Sequence, residues 1–308
     1  MESKVNLAVK IAGVRFKNPV LTASGTFGYG IEFAQFFDIS RLGGFCTKGL
    51  SLLPMAGNRP GRIVETPAGM LNAIGLENVG VDCFIVEKLP LLEHYDTQVV
   101  ANILGKSVEE FAELARRLDL HAKISSLELN ISCPNIKEGG IHFGHDPKMA
   151  FQAVTAVKRN TTKPVWVKLS PNVTDVTVIA KVCEEAGADA LTLVNTFVGM
   201  SIDVYKRRPM LSNVTGGLSG PAIRPLAVRM VYQVAKAVRI PVVGIGGIMC
   251  ARDALEFMVA GATAVQVGTA NFTDPLAAVK VIEGLEQFCR EQGISDISTL
   301  VGSIRANG

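Results

Sequence analysis

The chain has 308 residues, with 31 Lys plus Arg against 28 Asp plus Glu and no run of five like charges, so no nucleic-acid partner is expected. No stretch approaches the roughly 18 consecutive apolar residues that a membrane span needs, and the first residues lack a basic segment followed by a long apolar one; a cytoplasmic protein without membrane association is expected. Six cysteines, at 46, 83, 133, 183, 250 and 289, lie tens of residues apart without a C-x-x-C pair, which speaks against a disulfide scaffold and against a zinc or iron–sulfur site in this chain.

The opening stretch VNLAVKIAGVRFKNP (5–19) reads as a β-hairpin able to plug a barrel floor. Apolar, β-branched runs then recur at 20–22, 44–48, 98–104, 127–132, 164–169, 190–194, 241–245 and 264–267. Between most of them lie helix-period segments. SVEEFAELARRL (107–118) has Ser107 as N-cap and Glu110 as its capping-box partner. DPKMAFQAVTAVKRN, TDVTVIAKVCEEAGA, AIRPLAVRMVYQVAKAV and CARDALEFMVAGA follow the same pattern. Eight strands alternating with helices predict an α/β fold, a (β/α)8 TIM barrel over 1–308 as a single domain. An open doubly wound sheet is the alternative, weakened because no G-x-G-x-x-G follows the first strand. Three stretches, 50–78, 133–146 and 196–221, exceed ordinary loop length; long loops in a compact domain are usually functional, and the last two, which directly follow strands, are expected to cover the C-terminal mouth.

In such barrels the reacting groups come from the C-terminal ends of several strands. That rule selects Ser24, Lys48, Asn102, Asn130 with Cys133, Lys168 and Asn195 in turn, and then the glycines of GIGGI (244–248) and VGTAN (267–271). Glycine turns let backbone N–H groups approach an anion, so a phosphorylated ligand is expected on them, although both also read as plain tight turns. Lys168 in VWVKLSP either forms a Schiff base with a carbonyl substrate or keeps its charge beside an electron-rich ring, and Lys48 raises the same choice; either amine also reads as snorkelling to solvent. Cys133 stands on a glycine-hinged loop among lysines, a setting for a general base or a nucleophile. His142 and His145 in HFGH are its only histidine neighbours on that loop, and read better as polar loop residues than as a metal pair. Asn72, Asn130 and Asn195, with Thr196, suit a planar ligand with alternating C=O and N–H edges; Asn72 also reads as a turn support.

Taken together, NPVLTASGTFGYG, TKG, NAIGLEN, ELNISCPN, VKLSP, VNT, GGLSGPAI, GIGGI and VGTANF resemble the dihydroorotate dehydrogenases of pyrimidine biosynthesis over nearly the whole chain. The resemblance implies a barrel holding FMN and the oxidation of dihydroorotate to orotate. Cys133 matches the base that removes the substrate C5 proton while the C6 hydride passes to the flavin. The membrane-associated class carries serine there, so the likeness is to the soluble class 1. NAIGLEN resembles the NAD-linked subgroup 1B more than the fumarate-linked 1A. Subgroup 1B implies an iron–sulfur flavoprotein partner carrying FAD and a 2Fe-2S cluster, in a heterotetramer of two catalytic and two electron-transfer chains.

By the same likeness, FMN meets Ser24, Lys48, Gly49, Asn102, Asn130, Lys168, Val194 and Gly220, with its phosphate on Gly246, Gly247, Gly268 and Thr269. Substrate meets Lys48, Asn72, Ala73, Ile74, Gly75, Leu76, Asn130, Asn195 and Thr196. The competing expectations are a dihydropyrimidine dehydrogenase-like enzyme, a flavin-free barrel lyase using Lys168, and a binding subunit without chemistry of its own.

Overall fold

The computed structural model describes residues 5–132 and 143–305. Eight strands, β1 (Val20–Thr22), β2 (Gly44–Cys46), β3 (Gln98–Ile103), β4 (Ile124–Asn130), β5 (Val165–Lys168), β6 (Ala190–Leu193), β7 (Val242–Ile245) and β8 (Ala264–Val267), close into one barrel in chain order. Every neighbouring pair is parallel, and β8 closes on β1 with Val265 opposite Val20. Strands buried on both faces carry continuous apolar runs, as VWVK and ALTL do apart from their inward polar residues.

The predicted strands are all present, with one boundary moved substantially. β4 begins at Ile124, three residues before the predicted start, because two serines there are accommodated inside the strand. Ser125 Oγ donates to the Val99 carbonyl at 3.0 Å, and the register shifts between Val99 and Val100 beside it. Of the two, Ser125 is thus taken up by the neighbouring strand, while Ser126 is buried inside β4.

The outer ring consists of α1 (Val108–Asp119), α2 (Pro147–Lys158), α3 (Val176–Glu185), α4 (Arg224–Ala237), α5 (Ala251–Ala260) and α6 (Ala277–Glu291). α1 buries Phe111, Leu114, Ala115 and Leu118, spaced three and four apart, over β3 and β4. Each large apolar side chain so buried contributes about 1.5–3 kcal/mol. Ser107 caps α1 by accepting from Glu110 N at 3.2 Å, as the sequence predicts, but the Glu110 carboxylate takes Lys106 N at 2.8 Å rather than the N-cap amide.

The N-terminal hairpin pairs Val9–Ile11 with Val14–Phe16 and does plug the floor. Phe16 is fully buried, with its ring centroid 5.8 Å from that of Trp166 on β5.

The stretches 50–78 and 196–221 are not plain loops. They supply Ile63–Thr66 and Gly69–Asn72 from after β2, and Phe197–Met200 and Thr215–Ser219 from after β6, which form a four-stranded antiparallel sheet over the mouth. Leu71, Ala73 and Leu211 make a small core of their own beneath it. The third long stretch, 133–146, lies mostly outside the described residues.

Candidate active site

Side chains alternate across a strand, so a polar residue at the last inward position of each strand arrives at the mouth. On β4, Glu128 and Asn130 share the inward face; on β5, Trp166 and Lys168 do. The strand ends open into a cavity of about 400 Å³, within the range of small-molecule sites. Its walls contain Ser24, Lys48, Gly49, Asn102, Asn130 and Lys168 from the first five strands. Val194, Asn195, Thr196 and Gly220 follow β6, and Gly246, Gly247, Gly268 and Thr269 follow β7 and β8. Asn72, Ile74, Gly75 and Leu76 come down from the mouth sheet. Ala73 belongs to the same segment, but its side chain packs with Leu71 and Leu211 and does not line the cavity. Cys133 and His142 lie outside the described residues.

The polar groups are tightly mutual. Lys168, whose side chain is 5% exposed, donates to Ser24 Oγ at 3.2 Å and stands 3.8 Å from the buried Glu128 carboxylate. Asn130 Oδ1 accepts from Ser132 Oγ at 2.8 Å, and that hydroxyl in turn takes Asn195 Nδ2 at 2.5 Å. Asn195 Oδ1 accepts from Thr196 N at 2.8 Å, so both amides are held before any ligand arrives. Asn72 Nδ2 reaches the Gly217 carbonyl at 3.3 Å across the mouth sheet. His145 Nε2 lies 3.5 Å from Ser170 Oγ, just beyond β5. Among the described residues no group of three His, Cys, Asp or Glu side chains is placed to hold a metal.

At the far end of the cavity the chain is reduced to backbone. Gly247 has φ +73°, and a Cβ there would lie 2.7 Å from the Gly220 carbonyl oxygen. Thr269 Oγ1 donates to Ser219 Oγ at 2.8 Å beside it. A turn with no side chains and a flanking hydroxyl is the kind of surface that receives a phosphate. Apolar side chains, Ile63, Met70 and Phe272, also line the cavity. A cavity with a bare-backbone end, polar groups and apolar side chains in its lining fits a phosphorylated, planar, amphipathic ligand.

Two residues escaped the strand-end rule because they sit one step below the mouth. Glu128 is fully buried, and Asn102 Nδ2 and Gln266 Nε2 donate to its two oxygens at 2.7 and 2.9 Å. Gln266 Nε2 also lies 3.1 Å from Cys46 Sγ. Burial, reinforced by the Glu128 charge, pushes the Cys46 thiol well up, and burial alone pushes Cys183 up to about 12. Both sulfurs therefore stay protonated and serve as packing. The signal for Glu128 was in the sequence: a carboxylate two residues before Asn130 on the same strand must share its inward face.

Residues 6–289 match the family described as dihydroorotate dehydrogenase. The chain is 60% identical over 301 residues to a Geotalea uraniireducens protein named "Dihydroorotate dehydrogenase B (NAD(+)), catalytic subunit", covering 98% of this chain and 99% of that one. Proteins of the same name from Geobacter sp. strain M21 and Trichlorobacter lovleyi are each 59% identical, over 299 residues (97% of this chain and 98% of that one) and 301 residues (98% and 99%) respectively. With its closed parallel barrel and polar mouth, and with matches spanning almost its whole length, the chain belongs to the dihydroorotate dehydrogenase family.

Proposed function

We propose that this chain oxidises (S)-dihydroorotate to orotate in pyrimidine biosynthesis, as the FMN-bearing catalytic subunit of an NAD+-linked, subgroup 1B enzyme, with residues 1–308 acting as one domain. The observation that carries the reading is the convergence of Lys168, Asn102, Asn130, Asn195 and Asn72 on one cavity that ends in bare glycine backbone.

When bound, FMN supplies the acceptor for the hydride that leaves substrate C6. The rest falls to the chain. Gly246, Gly247, Gly268 and Thr269 hold the phosphate, while Ser24, Gly49, Val194 and Gly220 bound the ring, and Lys168 sets a positive charge beside it. Lys48, Asn130, Asn195 and Thr196, with Asn72 and the segment through Ala73, Ile74, Gly75 and Leu76, hold the pyrimidine flat; this fixed geometry replaces a bimolecular encounter. Cys133 takes the C5 proton. Electrons leave through a partner subunit carrying FAD and a 2Fe-2S cluster, in a two-plus-two heterotetramer. Such an outlet is needed because each oxidation of dihydroorotate to orotate releases two electrons that must be passed on.

The lyase alternative requires a neutral amine free to attack a carbonyl. Lys168 is instead ion-paired with Glu128 and bonded to Ser24, which favours the charged role. The test is direct: the purified chain should be yellow, and dihydroorotate, but not dihydrouracil, should bleach it without oxygen. A colourless protein that borohydride traps onto a carbonyl substrate would sink the reading. Co-purification with a chain showing iron–sulfur absorbance tests the partner, and turnover with fumarate alone would move the enzyme to subgroup 1A.

Cys133→Ser should retain flavin but lose turnover by at least about 100-fold near neutral pH, recovering partly in alkali, because an alkoxide forms far less readily than a thiolate. Normal turnover in that variant would remove the sulfur from the mechanism.

A further inference from the structure

The geometry points to Glu128 as a positioning residue: from one layer beneath the cavity it locks the orientation of the Asn102 amide against the cavity wall and counterbalances the charge of Lys168, without touching the ligand itself. This rests on the flavin reading above.

Four strands converge on this carboxylate. β3 sends Asn102, β8 sends Gln266, and β5 sends Lys168, at 2.7, 2.9 and 3.8 Å from its oxygens. β2 adds Cys46 through Gln266. Glu128 is fully buried and is absent from the cavity lining, whereas Asn102 and Lys168 are both in it. It therefore acts through those two.

The amide argument is one of valence. A carboxylate only accepts, so the nitrogen end of Asn102 must face it and the oxygen end must face away. That oxygen is buried, has no partner among the described residues, and points toward the backbone of Gly49, where a Cβ would come within 3.0 Å of it. The ordinary ambiguity of an asparagine amide is thus removed by its neighbour. The Asn102 amide is therefore held in one orientation, with its oxygen packed beside Gly49, which itself lines the cavity.

The charge argument concerns the redox balance of the site. A flavin that accepts a hydride takes up two electrons and one proton, and so gains one negative charge. Lys168 favours that gain; a carboxylate fixed behind Lys168 opposes part of it. Buried pairs are weakly screened by solvent, so the opposing charge is felt at the ring. Glu128 accordingly holds the flavin at a lower potential than Lys168 alone would set, easing electron transfer onward.

Two substitutions in the holoprotein separate the arms. Glu128→Gln keeps shape and removes charge, and should raise the flavin midpoint potential by about tenfold in the reduction equilibrium, roughly 30 mV for a two-electron couple. Glu128→Asp keeps the charge but shortens the reach to Asn102. It should leave the potential near the wild-type value and weaken FMN affinity about tenfold, read as the dissociation constant for FMN added back to the stripped protein. An unchanged potential in Glu128→Gln, or an unchanged FMN affinity in Glu128→Asp, overturns the proposal. Should the first variant fail to fold, the second still decides. A wild-type chain that binds no flavin would instead overturn the functional reading, and is recognised before either variant is made.

Discussion

Lys168 illustrates how a single residue at the mouth is tied to stability as well as chemistry. Its ammonium is almost completely buried between Ser24 and Glu128. Removing one member of a buried pair leaves the other charge uncompensated and typically costs about 3–5 kcal/mol, more than the pair itself contributes. Lys168→Met should therefore lower the melting temperature and lose flavin together. The double variant Lys168→Met with Glu128→Gln should recover much of the stability and none of the flavin binding. Calorimetry paired with flavin absorbance checks this, and a double variant no more stable than Lys168→Met would show that the carboxylate is not what suffers. The polar strand ends were legible in the sequence because alternation plus the barrel rule places them without knowledge of the fold in detail. Glu128 and Gln266 were not selected, since the rule looks only at the last inward residue and these stand one layer lower. Ala73 was carried along with its neighbours, and only its packing on Leu71 and Leu211 distinguishes it from them.

At the scale of elements, the barrel strands and the mouth sheet differ in what determines them. Each barrel strand announces itself through a local apolar run and a following helix. The mouth sheet joins segments such as Asn72 and Gly217, 145 residues apart, and nothing local to either marks the pairing. One close approach is at Gly220, φ +97°, where a Cβ would lie 2.6 Å from Gly69 Cα. Gly220→Ala should pry this sheet from the glycine-lined end of the cavity and weaken flavin affinity by at least about tenfold, with the barrel intact by circular dichroism; native affinity would mean that the contact yields easily. The helices carry a different lever. On α1, hydrogen bonds from Arg116 and then Arg117 lower the Glu113 carboxyl from its ordinary 4.5 to about 2. A group whose folded pKa is depressed stabilises the fold above the unfolded value, and that contribution fades as pH falls from about 4.5 toward 2. Because these are surface pairs, the amount is a few tenths of a kcal/mol. Glu113→Gln should melt slightly below wild type at pH 7 and converge with it near pH 2, as melting curves across that interval would show; a gap that stays constant with pH would mean the loss is not electrostatic.

At the scale of the whole molecule, a closed barrel has no sheet edge, so its two open ends are the places where order must be supplied by something else. The mouth is given to polar side chains and long insertions, which stay accessible to a ligand. The floor is given to the hairpin, whose role was readable in advance because a short amphipathic hairpin ahead of the first strand has no other apolar surface to cover. Phe16 enters against Trp166, and its ring approaches β2 so closely that a Cβ on Gly44 would stand 3.1 Å from it. Gly44 and Phe16 thus fit as a pair, small against large. Phe16→Ala should cost about 3–5 kcal/mol through lost burial and the cavity left behind, lowering the melting temperature by roughly 5–10 °C for a chain of this size. Trp166 and Lys168 share one strand, but the floor layer and the mouth layer are packed by different neighbours, so FMN affinity in this variant should stay within about threefold of wild type, following the near-additivity of sites without shared partners. Differential scanning calorimetry and flavin titration on the same preparation decide it: if flavin binding falls as steeply as stability, floor and mouth are one cooperative unit, and the division of labour between the two ends of the barrel is wrong.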